Sequence, residues 1–263
     1  MSSPILSTAE KAARAGGEAI RKWFRKDVLI EVKPDTSLVS IVDREAERAV
    51  LSVIEKAFPL HSIVSEEAGT FDRNSDYTWY IDPLDGTTNF LHHFPFFCSS
   101  VACTTGTEAI AGAIYDPIHD ELFSAEKGKG AYLNGKKIVV SGNIFEKSLI
   151  VASRGSSVEQ KLKGLRIAEE IEPHIHHGTK FTGSAAMNLC YTACGRFDGN
   201  IGASLHPHDI AAGILIAKEA GADVLNFTGD PATFLDPDIV VGNRDMTSNM
   251  LKYIKRAVRS RRK

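Results

Sequence analysis

Residues 79–90 of the chain read WYIDPLDGTTNF and carry more chemistry than any other segment. An apolar, strand-like run delivers Asp82 and Asp85 into a turn, and Gly86, Thr87 and Thr88 follow where a helix could begin. Carboxylate oxygens are the ligands that Mg²⁺ prefers, and free N–H groups at the start of a helix bind anions. The segment therefore predicts a metal ion beside a phosphate, although Asp-Pro and Asp-Gly are also ordinary turn sequences.

Acidic residues at three other places strengthen this prediction. Glu66 and Glu67 follow a short strand-like run, and adjacent carboxylates are costly unless a cation lies near them. Asp43 begins a predicted helix and could equally be the N-cap of that helix. Asp209 begins a helix that is apolar nearly all round. This last acid is therefore expected to be buried and to need a partner.

The whole chain alternates predicted helices with predicted strands, without a low-complexity tract or a Pro/Ser-rich linker. Helices are predicted at residues 8–24, 43–57, 158–171, 184–194, 208–220 and 246–258. Most strands are predicted between residues 62 and 140, close enough for local antiparallel pairing. Further strands are predicted at 149–153, 197–201, 222–227 and 239–242. We therefore expect one compact unit over residues 1–263, with halves of about 1–147 and 148–263 and with helical layers alternating with two sheets.

The composition argues against several classes of protein. The chain has 263 residues, of which 43% are hydrophobic, so it can bury a large core. Its net charge of −2 gives no overall attraction to nucleic acid or to an anionic membrane. No apolar run approaches the length of a membrane span, and the first residues lack the apolar core of a secretory signal. The four cysteines are too few for a disulfide scaffold, so we expect reduced cysteines in a cytoplasmic protein.

These residues together resemble the inositol monophosphatase family, which belongs to the lithium-sensitive, metal-dependent phosphatases. Residues 81–90, IDPLDGTTNF, are similar to the first signature of the family, and residues 209–221 are largely similar to the second. Asp43 and the pair Glu66 and Glu67 also fall where the family places them, and the similarity covers essentially the whole chain. The resemblance implies an α/β (α+β) layered sandwich in which helices flank two β-sheets. It also implies a homodimer and an active site where the two halves meet.

The resemblance further implies that Mg²⁺ is the cofactor, with two or more ions in each active site. Glu66, Asp82 and the backbone carbonyl of Leu84 correspond to the ligands of one ion. Asp82, Asp85 and Asp209 correspond to the ligands of a second ion, so that Asp82 would bridge the two. A covalent enzyme intermediate is not expected, because water activated by two metal ions can attack the phosphate directly.

Catalytic and phosphate-binding roles are carried over in the same way. Asp43 and Thr87 are implied to orient and deprotonate the attacking water. Glu67 is implied to lie beside the metal ligands, where it can touch a further and weaker metal position. The phosphate cradle is implied to consist of the backbone amides of Gly86 and Thr87 together with the side chains of Thr87 and Thr88.

Substrate contacts rest on positions that match the family less closely. Gly183, Ser184 and Ala185 resemble a loop of small residues that contacts sugar or inositol hydroxyls. Lys33 lies near the active-site lysine of the family but is offset by one residue in its spacing to the first acid. His208 replaces the usual tryptophan before the second-signature aspartate, where it could contact substrate or simply fill the space.

Gly202 is a clearer departure. Family members that act on inositol phosphate commonly carry a glutamate seven positions before the second-signature aspartate, and this chain has glycine there. The substitution Gly202→Glu is therefore expected to favour inositol monophosphate over other esters. Ser153 and Arg154 are expected to approach the same area. The sequence shows no evident aromatic platform or basic pocket beside the signatures, which disfavours a nucleotide substrate.

We therefore expect a Mg²⁺-dependent, Li⁺-inhibited phosphatase that hydrolyses a small polyol phosphate, with inositol monophosphate as the leading substrate. Fructose 1,6-bisphosphate and histidinol phosphate are the alternatives. Some relatives of the family act as partners of the transcription and RNA machinery, so a non-catalytic role is also kept. The basic residues that could serve such a role are Lys252, Lys255, Arg256, Arg259, Arg261, Arg262 and Lys263.

Overall fold

The computed structural model describes residues 2–28, 30–32, 38–155 and 157–259. The α-helices are α1 (Pro4–Trp23), α2 (Ile41–Ala57), α3 (Thr87–Leu91), α4 (Val158–Ile171), α5 (Ala185–Ala193), α6 (Pro207–Glu219) and α7 (Arg244–Arg259). The first ten strands are β1 (Ile30–Val32), β2 (Leu38–Ser40), β3 (Ser62–Ser65), β4 (Gly69–Phe71), β5 (Tyr77–Asp85), β6 (Cys98–Thr105), β7 (Glu108–Asp116), β8 (Glu121–Glu126), β9 (Ala131–Leu133) and β10 (Lys136–Ile138). The remaining strands are β11 (Ile150–Ala152), β12 (Thr179–Lys180), β13 (Gly199–Gly202), β14 (Asp223–Asn226) and β15 (Ile239–Gly242). Within these described ranges, no helix combines the length and the apolar character needed to cross a bilayer.

The elements form five layers. An eight-stranded sheet has the order β10-β9-β8-β7-β6-β5-β3-β4, and a five-stranded sheet has the order β12-β11-β13-β15-β14. Helices α1 and α2 cover the outer face of the larger sheet, and α4 and α7 cover the outer face of the smaller one. Helices α5 and α6 lie between the two sheets. The expected layered α/β (α+β) fold, in which helices flank two β-sheets, is confirmed.

The central strands of the larger sheet are buried on both faces, and they are apolar for that reason. Successive side chains of a strand point to opposite faces. In β6, Val101 and Cys103 pack with the helices α1 and α2, whereas Ala102 packs with α5 and α6. A strand that packs against apolar layers on both faces has a nearly continuous apolar sequence. Such runs are easily recognised, so the strand was predicted from the sequence.

Helix α6 lies at the centre of the molecule, and its residues Ile210 to Ala217 are all buried. Small residues let it approach the larger sheet closely. A Cβ atom added at Gly112 of β7 would lie 3.0 Å from the Cα atom of Ala212. The interior of the helix thus has room only for apolar or small side chains, and polar chemistry is confined to its first turn.

The two helices that were expected to begin at or beside acids begin two residues before those acids, at Ile41 and Pro207, and their N-caps lie one residue earlier still. Ser40 is the N-cap of α2, and the Ser40 N–H donates to Oδ2 of Asp43 over 2.7 Å. Likewise, the His206 N–H donates to Oδ2 of Asp209 over 2.8 Å, so His206 precedes α6. In both cases an acid in the first turn reaches back to the residue that starts the helix. Asp43 and Asp209 are therefore not N-caps, and the sequence-based helix starts were displaced accordingly.

We predict that Gly112→Val lowers the free energy of unfolding by about 1–3 kcal/mol, because the added side chain would push α6 away from β7. Urea denaturation followed by circular dichroism measures this change. Gly142→Val is the matched control, since a Cβ atom at Gly142 meets no atom within 4 Å. Equal stability of the two variants would contradict the close packing described above.

Candidate active site

Parallel pairing of two strands brings the first acids together. β3 pairs with β5 in parallel, with Ser65 opposite Ile81, so both strands end at the same edge of the sheet. The N–H of Glu66 donates to the carbonyl of Ile81 over 3.2 Å, which places Glu66 beside Asp82. Residues three apart in a regular strand would point to opposite faces, but the pairing of β5 with β6 is irregular between Asp82 and Asp85. That irregularity lets both acids serve one site.

Burial and mutual repulsion raise the pKa values of three acids of this site. Burial raises the pKa of Asp82 well above its usual range, and the charges of Glu66, Asp85 and Asp209 raise it further. Burial, together with the charge of Asp209, raises the pKa of Asp85 to about 7. Burial, with a smaller effect of Glu66, raises the pKa of Asp209 to about 6. Acids in this arrangement ionise together at neutral pH only if a cation lies among them, so the donor set fits a divalent metal ion.

The carboxylate of Asp85 also joins the larger sheet to the start of helix α5. Its Oδ2 atom accepts hydrogen bonds from the hydroxyl of Ser184 and from the N–H of Ala186, both over 2.6 Å. Its Oδ1 atom accepts a longer bond, 3.3 Å, from the N–H of Ala185. The loop that was expected to contact substrate is therefore fixed to an expected metal ligand.

These hydrogen bonds also turn individual carboxylates toward backbone donors. Asp85 faces the start of α5, and Asp209 faces the start of its own helix. Among the described residues, no three His, Cys, Asp or Glu side chains are already arranged around one point as a metal site. The acids are nevertheless close enough for the charges of Glu66, Asp85 and Asp209 to act on Asp82, and the side chains of Asp82 and Glu66 share a hydrogen bond.

Thr87 lies on the wall of the site, and Asp43 lies directly behind it. The Thr87 hydroxyl is 3.3 Å from Oδ1 of Asp43 and 3.1 Å from the backbone carbonyl oxygen of Leu84. Asp43 is almost completely buried, and this burial raises its pKa. Gly86 has a φ of 95°, a left-handed conformation that favours glycine, and it turns the chain from β5 into α3. The expected water-activating pair is therefore joined to an expected metal-binding carbonyl.

A cavity of about 890 Å³ opens at this site. The expected site residues on its wall are Glu66, Asp85, Gly86, Thr87, Thr88, Gly183, Ser184, Ala185, His208 and Asp209. Asp43, Asp82 and Leu84 are buried and are not on the wall, and Glu67 lies in the turn beside Glu66. Lys33 is outside the described residues.

Several residues of the cavity wall escaped the sequence analysis. These are Phe181, Gln160 and Lys161. They lie beside Arg154, which was expected in this area with Ser153 and whose guanidinium is 5.2 Å from the centre of the Phe181 ring. The sequence showed no evident aromatic platform or basic pocket beside the signatures, yet the folded chain brings an aromatic ring and two cations to the cavity. These residues come from α4 and from the loops before α4 and after β12, so only the folded chain brings them to the site.

Asn89 is a further residue whose role the sequence did not reveal. Its side-chain amide donates to the carbonyl oxygens of Thr182 and Phe96, each over 2.7 Å. A Cβ atom at Gly183 would lie 2.9 Å from Oδ1 of Asn89, so the loop packs directly on this side chain. Asn89 thereby fixes the loop next to the turn that starts α3.

The geometry around Gly202 argues against the expectation that Gly202→Glu favours inositol monophosphate over other esters. A Cβ atom added at Gly202 would lie 2.5 Å from Cδ1 of Leu205 and 2.9 Å from Cγ1 of Ile239. Gly202 is buried, and Leu205 occupies the wall of the cavity in front of it. A glutamate here would displace Leu205 before it could reach a substrate.

His208 lies on the cavity wall and also contacts its neighbours. Its Nε2 atom is 3.4 Å from Oδ1 of Asp209, and its ring stacks on that of His206 with 5.5 Å between the ring centres. The position is compatible with both expected roles, since the ring packs against His206 and also faces the cavity.

Comparison with known proteins identifies the family. The profile of the inositol monophosphatase family matches residues 1–261. The chain belongs to the inositol monophosphatase family. It is 38% identical to a protein of Aquifex aeolicus named fructose-1,6-bisphosphatase/inositol-1-monophosphatase, over 95% of each chain. It is 36% identical to the Nus factor SuhB of Escherichia coli (strain K12), over 94% of each chain.

Solved structures agree with this assignment. The crystal structure of the extragenic suppressor protein suhB from Bartonella henselae has a TM-score of 0.91 and 32% identity, over 96% of this chain and 99% of that one. The resemblance read from the signatures is therefore confirmed. Membership in the inositol monophosphatase family supports a phosphatase enzyme, and the names of the relatives leave more than one substrate open.

We predict that this inositol monophosphatase family member, kept in EDTA, loses stability as the pH rises from about 5 to about 8. Folded Asp85 and Asp209 hold protons up to a pH of about 7 and about 6, whereas unfolded acids lose them near pH 4. The folded state thus binds more protons in this window, and the free energy of unfolding falls as the protons leave.

Thermal melts in EDTA at pH 5, 6.5 and 8 test this expectation. Asp85→Asn removes one of the two titrating groups and should flatten the trend, while excess Mg²⁺ should remove it in the unaltered protein. A melting temperature that rises steadily from pH 5 to pH 8 in EDTA would contradict the electrostatic description of the site.

Proposed function

We propose that the chain is a Mg²⁺-dependent phosphatase that hydrolyses phosphate monoesters of a small polyol, with inositol monophosphate as the leading substrate. The observation that carries this proposal is the grouping of Glu66, Asp82, Asp85 and Asp209 at one end of a large cavity. The turn that leads into α3 lies at the same end and could receive a phosphate. Family membership supports the same class of reaction.

The metal ligands in this proposal are those implied by the signatures. Glu66, Asp82 and the carbonyl of Leu84 would hold one Mg²⁺, and Asp82, Asp85 and Asp209 would hold another. All of these donors are oxygen atoms, which suits Mg²⁺. The raised pKa values of Asp82, Asp85 and Asp209 support the choice, because these acids ionise together more easily when a cation lies among them. The chemistry supplied by such ions is polarisation of the phosphoryl group and a lowered pKa of bound water.

The protein's own groups would then position and activate the water. The Thr87 hydroxyl lies between Asp43 and the Leu84 carbonyl, so it can orient a water molecule next to the phosphate. Burial raises the pKa of Asp43, which makes this carboxylate a better proton acceptor near neutral pH. Gly86, Thr87 and Thr88 would hold the phosphate oxygens through backbone amides and hydroxyls. Glu67, beside Glu66, would contact a further ion.

The remaining assignments concern the substrate contacts, the oligomeric state and the cellular compartment of the enzyme. We assign Gly183, Ser184, Ala185 and His208 to the hydroxyls of the leaving group, because they lie on the cavity wall next to Asp85 and Asp209. Lys33 is kept as a phosphate contact from the sequence alone. We also propose, from the sequence and the family resemblance, that the enzyme is a cytoplasmic homodimer. The four free cysteines are compatible with a reducing compartment.

Phosphate release from inositol, fructose, histidinol and nucleotide phosphates tests the proposal. We expect turnover of one ester with Mg²⁺, none with EDTA, and suppression by Li⁺. Asp85→Asn should lower kcat by several orders of magnitude while the protein stays folded, because the variant loses one metal-binding charge. The control is Asp223→Asn, which makes the same change at an exposed position.

Two results would count against this function. Full activity of Asp85→Asn would contradict the assigned metal site. No turnover of any ester by folded protein would favour the non-catalytic alternative, which the name of the Escherichia coli relative keeps open. In that case the basic C-terminal residues would be studied next, of which Arg261, Arg262 and Lys263 are outside the described residues.

Fructose 1,6-bisphosphate is a second candidate substrate, and the charge of the cavity wall favours it. Arg154 and Lys161 line the cavity together with the acids, and both are exposed. A substrate with a second phosphate could direct that group toward these cations, whereas inositol monophosphate has no such group. The Aquifex aeolicus relative is named for both activities.

We predict that Arg154→Gln and Lys161→Gln each raise KM for fructose 1,6-bisphosphate by about 10-fold or more. A hydrogen bond to a charged group contributes about 1.5–3 kcal/mol, which corresponds to that change. KM for inositol monophosphate should stay close to that of the unaltered protein. Lys147→Gln is the control, because it removes an exposed charge away from the cavity. Equal changes in KM for both esters would contradict a second phosphate site.

A further inference from the structure

Helix α2 carries a second buried acid that the proposed reaction does not use. Glu47 is 6% exposed and lies one helical turn after Asp43, on the same side of the helix. Its Oε1 atom accepts two hydrogen bonds, one from the Ser65 hydroxyl over 2.5 Å and one from the Ala68 N–H over 2.8 Å. Buried polar groups need hydrogen-bond partners, so Glu47 and the two groups that donate to it hold each other in place.

Those two contacts enclose the turn that carries Glu66 and Glu67. Ser65 is the last residue of β3, and Ala68 is the last residue before β4. β4 is only three residues long, is exposed, and is the end strand of the larger sheet. The turn therefore lies at a sheet edge with little packing around it, and Glu47 connects both of its ends to a helix of the core.

We propose that Glu47 is a positioning residue that holds Glu66 in place for metal binding. One carboxylate oxygen fixes the turn from both sides, while the N–H of Glu66 bonds to Ile81 and sets its distance from Asp82. Because α2 also carries Asp43, a single helix aligns the proposed proton acceptor with a proposed metal ligand. This inference rests on the proposed function and adds a residue that none of the sequence signatures includes.

The two hydrogen bonds suggest variants that separate positioning from charge. Both bonds end on the same oxygen, so Glu47→Gln keeps an acceptor for Ser65 and Ala68 while it removes the charge. Glu47→Ala removes the acceptor. Ser65→Ala removes one of the two donors and leaves the other bond intact. Glu55→Ala is the matched control, since Glu55 lies on α2 with a half-exposed side chain that pairs with Arg73 on the surface.

The experiment measures the Kd of Mg²⁺ by calorimetry and the Mg²⁺ concentration that gives half-maximal hydrolysis at saturating substrate. We expect Glu47→Ala to raise both by about 10-fold or more, as is typical when a group that orients a metal ligand is lost. Glu47→Gln should restore values close to those of the unaltered protein. Ser65→Ala should give a smaller increase, and Glu55→Ala should give none. KM for the ester at saturating Mg²⁺ should change little in all four variants.

The outcomes distinguish the inference from the proposed function. Unchanged Mg²⁺ binding in Glu47→Ala, with only a lower melting temperature, would overturn the inference and leave the phosphatase intact. If Glu47→Ala does not fold, unchanged Mg²⁺ binding in Ser65→Ala overturns it instead. A protein that binds Mg²⁺ but hydrolyses no ester would contradict the proposed function, while calorimetry would still decide the role of Glu47.

Discussion

Buried negative charge is the constraint on which the site depends. Asp43, Asp82 and Asp85 are buried and Asp209 is partly buried, and this burial is the largest cause of the raised pKa of each. Backbone N–H groups at the starts of three helices donate hydrogen bonds to three of these acids. Asp85 accepts N–H groups from the start of α5, Asp209 from the start of α6 and Asp43 from the start of α2. Helix starts carry unpaired N–H groups and partial positive charge, so they stabilise acids that burial would otherwise neutralise.

The layered architecture explains why these helix starts meet. Helix α6 lies between two sheets and must be apolar along its length, so only its first turn can carry polar groups. The parallel pairing of β3 with β5 brings two strand ends to the same edge. The acids therefore gather where the strands end and the central helices begin, and the hydrogen bonds of Asp85 hold the larger sheet to the start of α5 at that point.

The sequence predicted the layers and the expected ligands because both depend on local patterns. Apolar runs marked the buried strands, and the signature from Ile81 to Phe90 marked the acids and the turn that the structure brings to the cavity. The helix starts were displaced because an acid at the N-cap and an acid three residues later give similar sequence patterns. The cavity wall was predicted only in part, since Arg154 was expected there but Lys161 and Phe181 reach it only through tertiary packing. The consequence of Gly202 also depended on a distant neighbour, Ile239.

The two ends of the cavity differ in how tightly the fold constrains them. The acidic end is buried and hydrogen-bonded to several helices, so a substitution there disturbs packing, charge and chemistry together. The opposite wall consists partly of exposed side chains, Arg154 and Lys161, whose replacement changes the charge that a substrate meets without opening the core. Surface substitutions of this kind usually change stability by less than about 0.5 kcal/mol. Substrate choice can therefore vary on this scaffold while the proposed hydrolytic chemistry stays fixed.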